Sequence, residues 1–135
     1  MELADLVASW SKDPRVKVGA VITDRQNVIR GIGFNGFPRG VFDVSERLEN
    51  AQTTRLYVVH AERNAILNSH GDLRGCTLYC NVFPCNDCTK EIIQAGITKV
   101  VVPHIAPDSP SRNYAVSIQM MKEAGVAYEL LEETA

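Results

Sequence analysis

Apolar and polar positions alternate along the chain in a way that divides it into short elements. Leu3, Leu6, Val7 and Trp10 recur at helical spacing, which predicts a helix over residues 1–11 with these four side chains in the core. It opens without a capping residue, as if a few residues of a first turn preceded Met1. Residues 16–23 and 28–34 are β-rich runs. The polar stretch Asp24, Arg25, Gln26, Asn27 between them reads as a hairpin turn. Residues 35–54 form the longest irregular stretch, opening with Asn35-Gly36-Phe37-Pro38-Arg39-Gly40; a loop of that length in a small domain is functional or disordered. A strand-like apolar run, Leu56 to Val59, follows.

The rest alternates between the two periods. Residues 60–69 predict a helix closed by Gly71, and residues 77–82 a strand. Residues 85–95 predict a helix ended by Gly96, and residues 99–102 a buried strand stopped by Pro103. Beyond a Pro-Ser loop, residues 113–124 predict a helix stopped by Gly125, then a last strand over 126–131 and an acidic tail. The order is a helix, a hairpin, and three helix-then-strand steps. Such alternation favours parallel pairing through right-handed crossovers, with helices on both faces of one mixed sheet. A chain of 135 residues is expected to form a single domain, 1–135.

Composition narrows the function classes. With 45% hydrophobic and 7% aromatic residues the chain buries enough apolar surface to offset its entropy, so disorder is excluded as the main state. A formal net charge of -2, from 14 basic and 16 acidic residues, argues against a grip on long nucleic acid. A small anionic ligand held by a few arginines stays open, and Arg39 and Arg112 are candidates for it as well as for ordinary surface positions. No apolar run is long enough for a membrane and no secretory pattern follows Met1, so a cytoplasmic setting is expected. The four cysteines then read as ligands or core thiols before disulfides, and Cys76 and Cys80, in or beside a strand, as core. His70 and His104 read as surface or loop residues.

The candidate chemistry lies in His60-Ala61-Glu62 and Pro84-Cys85-Asn86-Asp87-Cys88. Cys85 and Cys88 open a predicted helix, so both sulfurs fall on one side of its first turn, where the helix end favours thiolate. Alone, this C-x-x-C fits metal or redox use. His60 opens another predicted helix, and two helix starts at one edge of a parallel sheet would bring the three side chains together. One imidazole and two thiolates suit Zn2+ and leave a fourth position for water, as catalytic zinc sites do. Glu62, two residues from His60, stands where a proton carrier for that water belongs. The pattern H-x-E…P-C-x-x-C is that of the zinc deaminases. A polynucleotide deaminase and a non-catalytic zinc module are the alternatives; the acidic balance speaks against the first and Glu62 against the second. Asn35 has two readings, a turn residue and a sugar ligand, and Tyr114 likewise, packing or stacking on a base.

These two motifs resemble the cytidine deaminase superfamily. Ser11-Lys12-Asp13-Pro14, residues 18–22, 33–40 and 58–62, and residues 92–97 resemble its deoxycytidylate deaminase branch. The stretch between Gly40 and Tyr57 is shorter than in that family, and Asn81 stands where Thr is frequent. The resemblance implies a three-layer α/β/α sandwich around a five-stranded mixed sheet. It implies hydrolysis of dCMP to dUMP with release of ammonia, supplying dUMP for thymidylate synthesis. One zinc ion per subunit would sit on His60, Cys85 and Cys88, with Glu62 as proton shuttle, Asn35 on the sugar and the backbone at Ala61 on the cytosine edge. Members of the branch are commonly hexamers, activated by dCTP and inhibited by dTTP. Their effectors, with Mg2+ accompanying a triphosphate, bind near the loop that here holds Gly36 and Arg39.

Overall fold

Five strands form one mixed sheet in the order β2-β1-β3-β4-β5 in the computed structural model, which describes residues 1–132. The end of the expected acidic tail lies outside those residues. β1 (Gly19–Thr23) and β2 (Ile29–Phe34) are the antiparallel hairpin. Its turn is made as the polar stretch predicts: the Asp24 carboxylate accepts from the N–H groups of Gln26 and Val28, and Asn27 takes the left-handed conformation at φ 64°. β3 (Thr77–Cys80) runs antiparallel to β1, and β4 (Lys99–Val102) and β5 (Ala127–Leu130) continue parallel to β3.

Strand alternation splits the core into two. Ala20, Ile22, Leu78, Cys80, Val100 and Val102 pack with Ala61 and Ala65 of α4 (Ala61–Asn68), Ile92 of α5 (Asn86–Gln94) and Met121 of α6 (Tyr114–Ala124). Val21 packs on the opposite face with Ala4 and Val7 of α1 (Glu2–Ala8), joined by Ile32 and Tyr79. Helices on both faces make the expected α/β/α sandwich.

α1 departs from the expected face. Leu6 is 54% and Trp10 49% exposed, and the buried side is Ala4, Val7 and Ala8. The reason is proximity: a Cβ on Gly19 would lie 2.1 Å from the Ala4 carbonyl oxygen and 2.4 Å from the Ala8 nitrogen. Only small side chains let α1 come that close to β1. The helix ends at Ala8, and Trp10 meets Phe34 edge-on outside the core.

The stretch read as irregular contains two short helices, α2 (Ser45–Glu49) and α3 (Ala51–Tyr57). Asn50 caps α3 by accepting from the Thr53 N–H, and the Thr54 hydroxyl donates to the Arg47 carbonyl, which ties the two helices. α3 absorbs the start of the apolar run at 56–59; Leu56 is exposed, and Val59 makes one isolated bridge with Gly36 instead of a strand. β1 begins three residues later than expected: the Val16 carbonyl and the Val18 N–H bond the side chain of Asn35, whose own N–H donates to the Val18 carbonyl.

Candidate active site

His60 and Cys85 occupy equivalent places, each the residue before a helix, extended at ψ 154° and 170°. Cys88 lies in the first turn of α5. What brings α4 to the right depth is the absence of side chains on β2. A Cβ on Gly33 would sit 2.3 Å from the Ala65 nitrogen and 2.7 Å from the Ala61 carbonyl oxygen, so α4 rests on bare strand. His60 Nδ1 is then 3.3 Å from Cys88 Sγ and 3.5 Å from Cys85 Sγ, and the three ligand atoms lie within 4.8 Å of one another. Tetrahedral zinc at ordinary bond lengths separates a nitrogen and a sulfur ligand by about 3.6 Å. The spacing therefore fits that ion.

Protonation of the cluster suits a cation. The hydrogen bond from Cys88, followed by that of His60, holds Cys85 well below the usual thiol range. Cys88 is pushed up by the Cys85 sulfur and by burial, so the two thiols share one proton. His60 is raised, chiefly by its contact with Cys85. Cys76 and Cys80, both raised by burial, are core thiols as read. His70 and His104 are exposed and outside the cluster.

Glu62 is 2% exposed, and its Oε2 has no hydrogen-bond partner. Burial pushes its carboxyl up, against the opposing pull of its own backbone N–H, His60 and Arg112. A buried carboxylate oxygen without a partner is costly and needs an explanation. A water activated beside the three ligands supplies one, so the residues present fit a catalytic zinc ion.

A cavity of about 500 Å³ opens onto this group, and His60, Ala61, Glu62, Asn35 and Arg112 all line it. Asn35 does so with both ends of its amide engaged: Oδ1 accepts from Val18 N–H at 2.9 Å and Nδ2 donates to the Val16 carbonyl at 3.0 Å. One N–H and one lone pair remain. Arg112 donates to the Phe83 carbonyl at 2.9 Å and to the Tyr114 hydroxyl at 3.1 Å. Tyr114 itself is 4% exposed, packs edge-on against Phe83 and is not among the lining residues. Gly36 and Arg39 line a second cavity of about 330 Å³, where Arg39 donates to the Asn68 side chain at 2.6 Å. Asp13, Thr54 and Val58 line both cavities. Asn81 points elsewhere, accepting from Gly19 N–H and donating to the Lys17 carbonyl, and so continues the β1–β3 pairing past Cys80.

Among the lining residues that sequence reasoning did not single out for the site are three charged ones, Asp13, Arg15 and Arg55. Asp13 stands in the Ser-Lys-Asp-Pro segment singled out by resemblance, but nothing local marks either arginine.

The family model for the cytidine and deoxycytidylate deaminase zinc-binding region matches residues 1–104. The chain belongs to this deaminase family. The stretch matched holds His60, Glu62, Cys85 and Cys88, and membership makes the chain a hydrolytic deaminase with a zinc-binding region. Among relatives of this deaminase, an uncharacterized deaminase in the luxG 3′ region of Aliivibrio fischeri is 46% identical over 128 residues, covering 93% of this chain and 86% of its own. Human deoxycytidylate deaminase is 48% identical over 107 residues, covering 75% of this chain; the match spans 60% of the human protein's length. The structure of dCMP deaminase from the cyanophage S-TIM5 superposes at TM-score 0.76 with 30% identity, over 96% of this deaminase and 91% of the phage chain. A second structure of that phage enzyme is in complex with dCMP and dUMP.

Proposed function

We propose that this deaminase acts on a cytosine nucleotide, dCMP before others, giving dUMP and ammonia. One observation carries the reading: an unpartnered, buried Glu62 oxygen and a His-Cys-Cys cluster share a cavity large enough for a small ligand. The human and phage relatives, both deoxycytidylate deaminases by name, support the choice of substrate.

His60, Cys85 and Cys88 would hold Zn2+, which when bound lowers the pKa of water from 15.7 to about 7 and so supplies hydroxide at neutral pH. Glu62 takes the proton of the water that adds to C4 of the ring and gives it to N3. The C4–N4 bond then breaks, with a second proton passing through Glu62 to the departing amine. The balance is dCMP plus water to dUMP plus ammonia. A carboxyl raised by burial suits this work, because it accepts a proton more readily than an ordinary solvated glutamate. In this reading the backbone at Ala61 meets the cytosine edge and the free N–H and lone pair of Asn35 meet a sugar hydroxyl, which is supported by both residues lining the cavity. Arg112 contributes positive charge beside Glu62, while Tyr114 acts through its hydrogen bond with Arg112.

Further parts of the reading rest on the resemblance to the deoxycytidylate deaminase branch and, for the cytoplasmic setting, on the sequence's lack of membrane and secretory patterns. They are activation by dCTP with Mg2+, inhibition by dTTP at the cavity of Gly36 and Arg39, a hexameric assembly, and cytoplasmic supply of dUMP for thymidylate synthesis. One assay tests the substrate and the dTTP response. Zinc-loaded protein is incubated with deoxycytidine, dCMP or dCTP, each with and without dTTP, and the ultraviolet change of cytosine to uracil is followed. Loss of dCMP absorbance is the expected result; persistence of every cytosine compound overturns the reading.

A further inference from the structure

Cys85 is relieved of the task that a residue in its place usually performs. The side chain before a helix commonly accepts from a backbone N–H of the first turn. Cys85 stands there, before α5, and caps nothing; its sulfur lies 3.5 Å from His60 Nδ1 instead. The first N–H of α5 is satisfied from another part of the chain. Asn86 N–H donates to the Arg112 carbonyl at 3.0 Å.

The residues before Cys85 are held from the same quarter. The Arg112 guanidinium donates to the Phe83 carbonyl at 2.9 Å, and the Ser117 hydroxyl donates to the Pro84 carbonyl at 3.0 Å. Phe83, Pro84 and Asn86 thus each carry a backbone bond to the stretch 112–117, which leads into α6 and forms its first turn. The carbonyl of Cys85 itself is taken by the N–H and hydroxyl of Thr89 within α5. Phe83, Pro84 and Ser117 are buried, so a bond lost there finds no ready substitute in bulk water. The stretch is itself braced. Asn113 takes the left-handed conformation at φ 52°, and the Asp108 carboxylate accepts from the Tyr114 and Ala115 N–H groups at 2.7 and 3.0 Å. None of these residues belongs to the ligand cluster, yet Arg112 and Ser117 attach within two residues of Cys85 on either side.

We propose that Arg112 and Ser117 are positioning residues for Cys85: they fix the backbone of residues 83–86 so that its sulfur can share an ion with His60 and Cys88. The inference rests on the zinc reading of that cluster and adds to it what sets the ligand geometry from the α6 side. The two residues differ in every other respect. Arg112 is charged and lines the cavity, whereas Ser117 is uncharged, wholly buried and not among the lining residues. An effect common to both therefore reports the backbone they hold, not charge or contact with substrate.

The test compares the parent, Arg112→Gln and Ser117→Ala in zinc affinity, by chelator competition, and in the visible spectrum of the cobalt-loaded protein. Arg112→Gln is expected to weaken zinc about tenfold to a hundredfold, as removal of partners around metal ligands does. Ser117→Ala, which removes a single hydrogen bond, should weaken it about threefold to tenfold. Both should shift the cobalt–thiolate bands, a signature that loosening elsewhere in the fold would not move. Unchanged affinity and spectrum in Ser117→Ala overturn the assignment, and this variant decides alone if circular dichroism shows Arg112→Gln unfolded. A loss confined to Arg112→Gln also overturns it, since charge would then be the cause. If the parent takes up no metal, the zinc reading itself fails, and iodoacetamide still tests the pair. In metal-free protein Cys85 must then be alkylated at least about threefold faster in both variants than in the parent, and equal rates overturn the proposal.

Discussion

Arg63 of α4 donates both Nε, at 2.7 Å, and a terminal nitrogen to one carboxylate oxygen of Glu91 on α5. This bridge ties the two helices that His60 and Cys85 immediately precede. Both partners are partly exposed, with 48% and 31% of their side-chain surface accessible, so solvent screens the pair. Arg63→Ala or Glu91→Ala should therefore cost about 0.5–1 kcal/mol of stability and weaken zinc only several-fold. Chelator competition checks this. A hundredfold loss of affinity would mean that the bridge, rather than the packing of α4 on β2, sets the ligand geometry.

Glu62 makes the opposite kind of prediction. Its folded pKa is raised, so its contribution to stability is fully present below the unfolded carboxylate value and is lost as pH rises through the folded value. In zinc-stripped protein, Glu62→Gln removes that loss. The variant should melt above the parent, by a margin that widens as pH rises above the ordinary carboxylate range. The same variant should keep zinc and lose about 10²- to 10⁴-fold in kcat. Thermal melts across pH and a turnover assay check both halves; an unaltered kcat removes Glu62 from proton transfer.

Cys85→Ala should lower bound zinc sharply in elemental analysis, because two ligands hold the ion far less well than three. Metal also stabilises the fold that binds it, by about 2.7 kcal/mol at a hundredfold excess over Kd. Chelation should lower the melting temperature of the parent and leave that of Cys85→Ala nearly unmoved.

Two glycines should respond differently to the same substitution. Gly33→Ala places a methyl 2.3 Å from the Ala65 nitrogen, so α4 must lift; a cost of about 2–3 kcal/mol and reduced zinc content are expected. Gly36→Ala meets only Phe34 Cε2 at 3.9 Å and should leave stability within about 0.5 kcal/mol. Urea unfolding and zinc content together decide. Equal effects at the two positions would show that α4 does not depend on bare strand.

Much of this fold is legible in the sequence because its signals are local. The Asp24–Asn27 turn, the glycines that end α5 and α6, and the apolar runs of β3 and β4 each act within a few residues. The ligand set is legible for the same reason, since His60-Ala61-Glu62 and Cys85…Cys88 carry their chemistry in their spacing. What sequence reading misses depends on distant neighbours. The buried face of α1 is chosen by how close Gly19 lets the helix come, and hydrophobicity alone points to Leu6 and Trp10 instead. α2 and α3 are short and amphipathic only weakly; their support is the cap at Asn50 and the reach of Thr54 back to Arg47. Arg15 and Arg55 lie 40 residues apart in sequence and line one cavity because α3 comes back to the segment before β1, where Arg15 reaches the Thr54 hydroxyl.

The three side chains common to both cavities make the two compartments neighbours through a single layer of atoms. Asp13 braces Arg15, Thr54 receives its hydrogen bond, and Val58 leads into His60. Whatever occupies the space beside Trp10, Phe37 and Arg39 thus leans on a partition whose other surface faces the cavity of Arg15, Arg55 and the candidate metal ligand His60. The two chambers thus have side chains in common, with no long relay between them.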